Sequence, residues 1–324
     1  MSFIALLLAL LLEQARPRSA SAGIDKLFIQ WADWLRHTLD AGDKQHAWIA
    51  WGLAVVLPCA LTVLVHWLLW WFGGWFLAML WSLVVLYATL GFRRFSHHFS
   101  GIRDALSTGD DDLARELLRQ WQGDLEPNMP RSEIVRHVIE HSSISAHRHV
   151  FGVIAWFSVL AAMGLGPAGA VFFRLSALLS TDWAASSDSS QLDAAHSSPA
   201  LQEVTALAWR QVDWVPARMT GLSFAVVGNF EDAVDAWRQD AQHFPNANDG
   251  VVLAATAGAI NVRLGGVGLR PASNEALSDD PLVQPTAGRE PEVAHLRSMV
   301  GLVWRAVVMW MVLLALLTLA RLLG

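Results

Sequence analysis

Arg174, Arg218 and Arg263 are the side chains best placed by their neighbours to do chemistry in this 324-residue chain. Arg218 lies in Val212-Asp213-Trp214-Val215-Pro216-Ala217-Arg218-Met219-Thr220-Gly221, where a polar loop gives way to an apolar run. Arg263 closes an Ala- and Gly-rich stretch, Val251 to Leu264, and precedes Gly265-Gly266. A guanidinium is charged at every accessible pH, and its planar fork matches carboxylates and phosphates. Glycine-rich turns offer backbone N–H groups to the same anions. The pattern therefore predicts anion binding by Arg218 and Arg263 together. A plainer reading stands beside it: Pro216 opens a membrane helix, and Arg218 reaches back to the headgroups.

His137-Val138-Ile139-Glu140-His141 matches the His-x-x-Glu-His pattern of one class of zinc peptidase. Residues four apart share a helix face, so two imidazoles could hold one zinc ion with Glu140 as base. No motif supplies an obvious third ligand, and 12 histidines make a chance match easy. His147 and His149 extend the run, but the default is a set of surface histidines and no metal. No Walker-type glycine loop is present, so no nucleotide site can be argued from a motif.

Residues of these kinds must be positioned by elements that the composition assigns to a membrane. The chain is 54% hydrophobic and only 16% charged, with a mean hydropathy of +0.36, whereas a soluble domain is about a quarter charged. The predicted fold is an all-α integral membrane protein with about four to five transmembrane helices and soluble helical loops. Several of the 17 tryptophans, among them Trp48, Trp51, Trp70, Trp71, Trp75, Trp304 and Trp310, bracket the apolar runs. That is where an amphipathic ring settles, at the headgroups. The net charge of −6 gives no reason to expect nucleic acid, and the single Cys59 permits no intrachain disulfide.

In order, residues 1–47 read as a short apolar helix and an amphipathic segment, with Ala20-Ser21-Ala22 a weak candidate cleavage site. Residues 48–92 form a transmembrane hairpin turning at Gly73-Gly74. Residues 93–149 are a soluble helical loop, with Asp110 or Asp111 capping one helix and Ser132 with Glu133 starting the next. Residues 150–228 are a broken membrane region with an acidic loop; Gly164 to Gly169 divides it into two short helices or one interrupted helix. Residues 229–299 hold a capped polar helix, the Gly-rich stretch and a Pro/Ser/Asp-rich segment, 271–291, read as a disordered linker. Residues 300–324 are a final span. The flanks 13–47 and 93–149 hold five and eight Lys/Arg respectively, which makes them cytoplasmic by the positive-inside rule.

Three stretches, in one order, resemble a known family. Trp214-Val215-Pro216-Ala217-Arg218-Met219-Thr220 is similar to the Tyr-Ile-Pro-Ala-Arg-Leu-Thr of the cobalamin-biosynthesis CobD/CbiB proteins, the adenosylcobinamide-phosphate synthases. Pro245-Asn246, followed by Ala257-Gly258-Ala259-Ile260-Asn261-Val262-Arg263-Leu264-Gly265-Gly266, resembles that family's Pro-Asn-x-Gly and Ala-Gly-Ala-Leu-x-Val-Arg-Leu-Gly-Gly. Gly166-Pro167-Ala168-Gly169-Ala170 before Arg174 is similar to its Gly-x-Pro-Gly-Ala and Tyr-Arg. The resemblance implies a multi-pass protein of the bacterial inner membrane that joins adenosylcobyric acid to aminopropanol or its phosphate through an amide. ATP and Mg are implied as cofactors, the lipid bilayer and a corrinoid precursor as partners. Ligand-binding candidates are Arg218, Arg263, Arg174, Pro216, Asn246, Gly258, Gly265 and Gly266.

The chain departs from the family where its acidic and amide groups stand. Glu-Asn-Thr-x-Asp-Gly becomes His147-Arg148-His149-Val150-Phe151-Gly152, Asn-Thr-x-Asp becomes Ala177-Leu178-Leu179-Ser180, and a paired Asp becomes Trp209-Arg210. These replacements look more like the AmpE branch of the superfamily, associated with β-lactamase regulation and cell-wall stress sensing. A non-catalytic signalling protein is therefore the alternative.

Overall fold

A computed structural model describes residues 2–15, 21–123, 129–183, 197–266 and 285–323. Ala20 of the candidate cleavage site, Asp188 and Asp193 of the acidic loop, and residues 271–284 of the expected linker lie outside these. In chain order the helices are α1 (Ser2–Ala15), α2 (Ser21–Leu39), α3 (Lys44–Thr89), α4 (Phe92–Thr108), α5 (Asp111–Gln122) and α6 (Arg131–Ala146). A π-helical turn, His147–Phe151, leads to α7 (Gly152–Ala162), α8 (Ala168–Asp182), α9 (Pro199–Val212) and α10 (Trp214–Val227). The last are α11 (Phe230–Asp240), α12 (Ala247–Ile260) and α13 (Val293–Leu323). Among the described residues the one β-contact is an isolated parallel bridge, Val262 to Arg289.

Polar residues start several of these helices by accepting their otherwise unpaired first N–H groups. Asp110 accepts from Leu113, Ser198 from Leu201 and Asn229 from Asp232. Three helical runs, Lys44–Thr89, Arg131–Ala162 and Val293–Ala320, are long and apolar enough to cross a membrane. The protein is thus an all-α membrane protein. α10, with 14 residues, is about 21 Å long and too short to span alone.

The chain divides into two compact units. The first comprises Met1–Gly91 and Arg148–Pro216. Here α3 breaks at Gly74, whose φ of 66° and ψ of −162° leave the helix. The indole Nε1 of Trp81 donates to the carbonyl of Thr62 at 3.3 Å. In a straight helix those residues would stand about 28 Å apart, so α3 folds back on itself as a hairpin. Trp70, Trp71, Phe72, Trp75 and Phe76 are exposed around the tip. α7 and α8 form a second, tighter hairpin, which selects two short helices over one interrupted helix. A Cβ on Gly152 would lie 2.1 Å from the Phe173 ring, and one on Gly169 would lie 2.0 Å from the Trp156 carbonyl oxygen. Only glycine admits so close an approach. α3 braces the turn: Trp67 Nε1 donates to Gly164 O at 3.1 Å, and His66 packs on Gly166.

The second unit comprises Phe92–His147 and Ala217–Gly324. α6 packs on α4, α5, α12 and α13, and α11 packs on α12. α12 is buried along almost its whole length. The described part of the expected linker, from residue 285, is not a free coil: Thr286 N donates to Leu264 O at 2.7 Å, and Arg263 N donates to Arg289 O at 2.8 Å. Composition misses this, because main-chain pairing to a turn does not depend on an apolar pattern.

Candidate functional site

The candidate residues of the second unit gather at the two ends of α12. Its first turn is built by Phe244-Pro245-Asn246: the Asn246 side chain accepts from the N–H groups of Asn248 and Asp249 at 3.0 and 3.5 Å. Gly250 follows because a Cβ there would lie 2.1 Å from Ala241 O. α10 runs alongside, with Gly221 facing Val251 and Ala255, and Gly228 facing Ala259. That contact carries Arg218 to the beginning of α12, where its Nη1 donates to Oδ1 of buried Asn248 at 3.2 Å. Two turns of sequence that are 30 residues apart thus meet at one guanidinium. The helix macrodipole is positive here, which favours an anion beside Arg218.

At the other end Asn261 leaves α12 in the left-handed conformation, φ 52°. Gly265 and Gly266 follow with φ of 82° and 100°, a conformation that L side chains rarely hold. The N–H of Gly265 donates to Glu140 Oε1 at 2.7 Å, and its carbonyl accepts from Arg136 Nη1 at 2.6 Å. Leu264 is held on both sides by Thr286, its N–H by the hydroxyl at 2.9 Å and its carbonyl by the amide. Arg263 is exposed.

With 14 residues, α12 separates these ends by about 21 Å. Arg218 points to the first turn and Arg263 leaves from the last, so one phosphate or carboxylate does not bridge them. The pairing expected from sequence is corrected: the two arginines stand at separate ends of α12. They also differ in kind: the negative end of the dipole stabilises a cation such as Arg263 without any ligand. Gly258, another candidate, is a packing residue, because a Cβ there would lie 2.2 Å from Asp232 O of α11. Arg174 and Pro216 belong to the first unit, buried on α8 and in the opening turn of α10.

Within the His-x-x-Glu-His run the side chains turn to different partners. Glu140 turns to Gly265, while His141 meets the Trp121 ring edge-on at 4.3 Å. Among the described residues no three His, Cys, Asp or Glu side chains are placed to share a metal ion. His147, fully buried, pairs through Nδ1 with the Thr220 hydroxyl at 2.9 Å. Sequence reasoning missed Arg136 and Asn248, and missed the real partner of Glu140. A signal existed, since Glu133, Arg136 and Glu140 are charges at i, i+3 and i+7 of one helix and so share a face, where opposite charges can pair.

In the first unit, packed rings and apolar side chains fill the stretches where the resemblance implies acidic and amide groups. Trp209, nearly buried, lies 5.4 Å from the Phe173 ring and has the Arg148 guanidinium 5.7 Å from its own centroid. Ala177 and Leu179 are likewise buried. Magnesium requires hard oxygen ligands in near-octahedral order. Among the described residues no three such side chains are placed to form a protein-only cage, so any magnesium would be carried largely by substrate phosphates and water.

Comparison with known proteins matches the sequence to one family. A sequence model described as "CobD/Cbib protein" covers residues 3–190 and 203–320. The chain is 29% identical over 279 residues to a "Cobalamin biosynthesis protein CobD" of Stutzerimonas stutzeri, covering 84% of this chain and 82% of that protein. A protein of the same description from Chromobacterium violaceum is 29% identical over 182 residues, 56% of this chain and 54% of its own. One from Mycobacterium tuberculosis is 40% identical over 100 residues, 28% of this chain and 30% of its own. No solved structure matches.

Proposed function

Because the chain belongs to the CobD/CbiB family, we propose that it serves cobalamin biosynthesis in the bacterial inner membrane, joining adenosylcobyric acid to aminopropanol or its phosphate. The observation that carries this reading is the Arg218–Asn248 contact. It brings the Pro-Ala-Arg stretch and the Pro-Asn stretch together at the positive end of a buried helix. A guanidinium held there binds and orients a carboxylate or phosphate, and it offsets negative charge that builds as an amine adds to an activated carboxyl. ATP, when bound, would supply that activation. The residues described here bind and orient.

The packed Arg148–Trp209–Phe173 group favours a second reading. With rings in place of carboxylates, the chain would keep anion binding and have lost ligation, as in an AmpE-like regulatory protein of the cell-wall stress response. Deletion of the gene separates the two. Accumulated adenosylcobyric acid, with growth restored by cobinamide, supports ligation. Unchanged corrinoids with an altered β-lactam response overturn it in favour of the regulatory reading.

A further inference from the structure

We infer that Arg136 and Glu140 are positioning residues for the Arg263–Gly266 turn, gripping one peptide group so that exposed Arg263 meets an anionic ligand from a fixed backbone. The ligand part of this inference rests on the family reading above and adds to it a second anion contact, at Arg263, separate from the one at Arg218. The grip itself rests on geometry: one residue takes the N–H of Gly265 and the other its carbonyl, at 2.7 and 2.6 Å. Both are on α6, one turn apart, and both are more than nine-tenths buried. Arg136 is also paired with Glu133, and a Cβ on Gly266 would lie 3.2 Å from Arg136 Nη1.

Burying these two ionisable side chains costs free energy that well-packed apolar side chains of similar volume would avoid. Apolar side chains cannot hold both halves of a peptide. The expense is therefore explained by the turn rather than by α6. Glu140 leaves Oε2 buried with no hydrogen-bond partner, while its Oε1 is held between the Gly265 N–H and the Arg136 guanidinium, whose Nε lies 3.9 Å away. Without the clamp, consecutive left-handed glycines are the part of the chain with the most conformational freedom. With it, and with Thr286 and Arg289 on the other side, the backbone from Arg263 to Gly265 is fixed.

The test compares Glu140→Gln, Glu140→Leu and the double variant Arg136→Met/Glu140→Leu in full-length protein in nanodiscs. Gln keeps an oxygen for the Gly265 N–H, Leu removes it, and the double variant leaves no uncompensated buried charge if Leu alone fails to fold. Amide exchange over residues 263–266 reads the clamp directly and needs no turnover. Loss of a charge-assisted hydrogen bond predicts roughly 10- to 100-fold faster exchange in the Leu and double variants, and less than about threefold change in Gln. Where amide formation is measurable, the KM for the anionic substrate rises in the Leu and double variants and recovers in Gln. Unchanged exchange in the Leu and double variants overturns the clamp, as does a Gln variant as damaged as Leu, because then charge and not the hydrogen bond matters. Absence of amide formation in the wild type counts against the proposed reaction alone; the exchange contrast still decides the clamp.

Discussion

Arg218 stands out in the sequence because a fixed charge interrupts an apolar run, and the structure gives it a defined acceptor in Asn248. Arg136 and Glu140 do not stand out in the same way, because their partner is a peptide 125 residues or more away and no spacing rule reaches that far. Asp182, at the end of α8, offers a prediction of its own. Burial raises its pKa from 3.8, Asp33 adds to the rise, and Arg36 opposes it. The folded form therefore holds this proton more tightly than the unfolded chain. Stability falls as pH rises from about 3.8 through the raised value, and the penalty is complete above it. Asp182→Asn should remove that slope and raise the thermal midpoint at neutral pH. An unchanged or lower midpoint at pH 7, read by a melt across pH in detergent, would count against a buried carboxylate there.

At the scale of elements, the glycines decide how near helices come. Gly258→Ala places a Cβ 2.2 Å from Asp232 O, and overpacking of this kind costs about 1–3 kcal/mol. Gly301→Ala meets nothing within 4 Å and, inside α13, should leave stability unchanged or raise it by up to about 1 kcal/mol. Equal effects in a denaturation series would mean that α11 and α12 are not in close contact. Gly73-Gly74 is legible from sequence as a hairpin turn, since two apolar runs flank it. The Gly164–Gly169 break is legible only as a break: punctuation shows that a helix stops, whereas the choice of a hairpin depends on Gly152 and Gly169 meeting Phe173 and Trp156. The pairing of 285–290 with the turn after α12 leaves no trace in composition at all.

For the whole molecule, low charge and clustered apolar residues suffice to predict an all-α membrane protein, because a bilayer leaves few other ways to satisfy the backbone. The family follows from three stretches in one order, and a match over 82% of a CobD relative extends it along the chain. What a family pattern cannot convey is distance, which is why two arginines predicted to share one anion stand at opposite ends of α12. The most direct measurement is amide formation by the purified full-length protein in nanodiscs supplied with adenosylcobyric acid, aminopropanol phosphate, ATP and magnesium. The account predicts product from the wild type and roughly 10- to 100-fold less from a folded Arg218→Ala variant, the range set by losing a charge-assisted contact of about 1.5–3 kcal/mol. No product from the wild type, or undiminished product from Arg218→Ala, would contradict it.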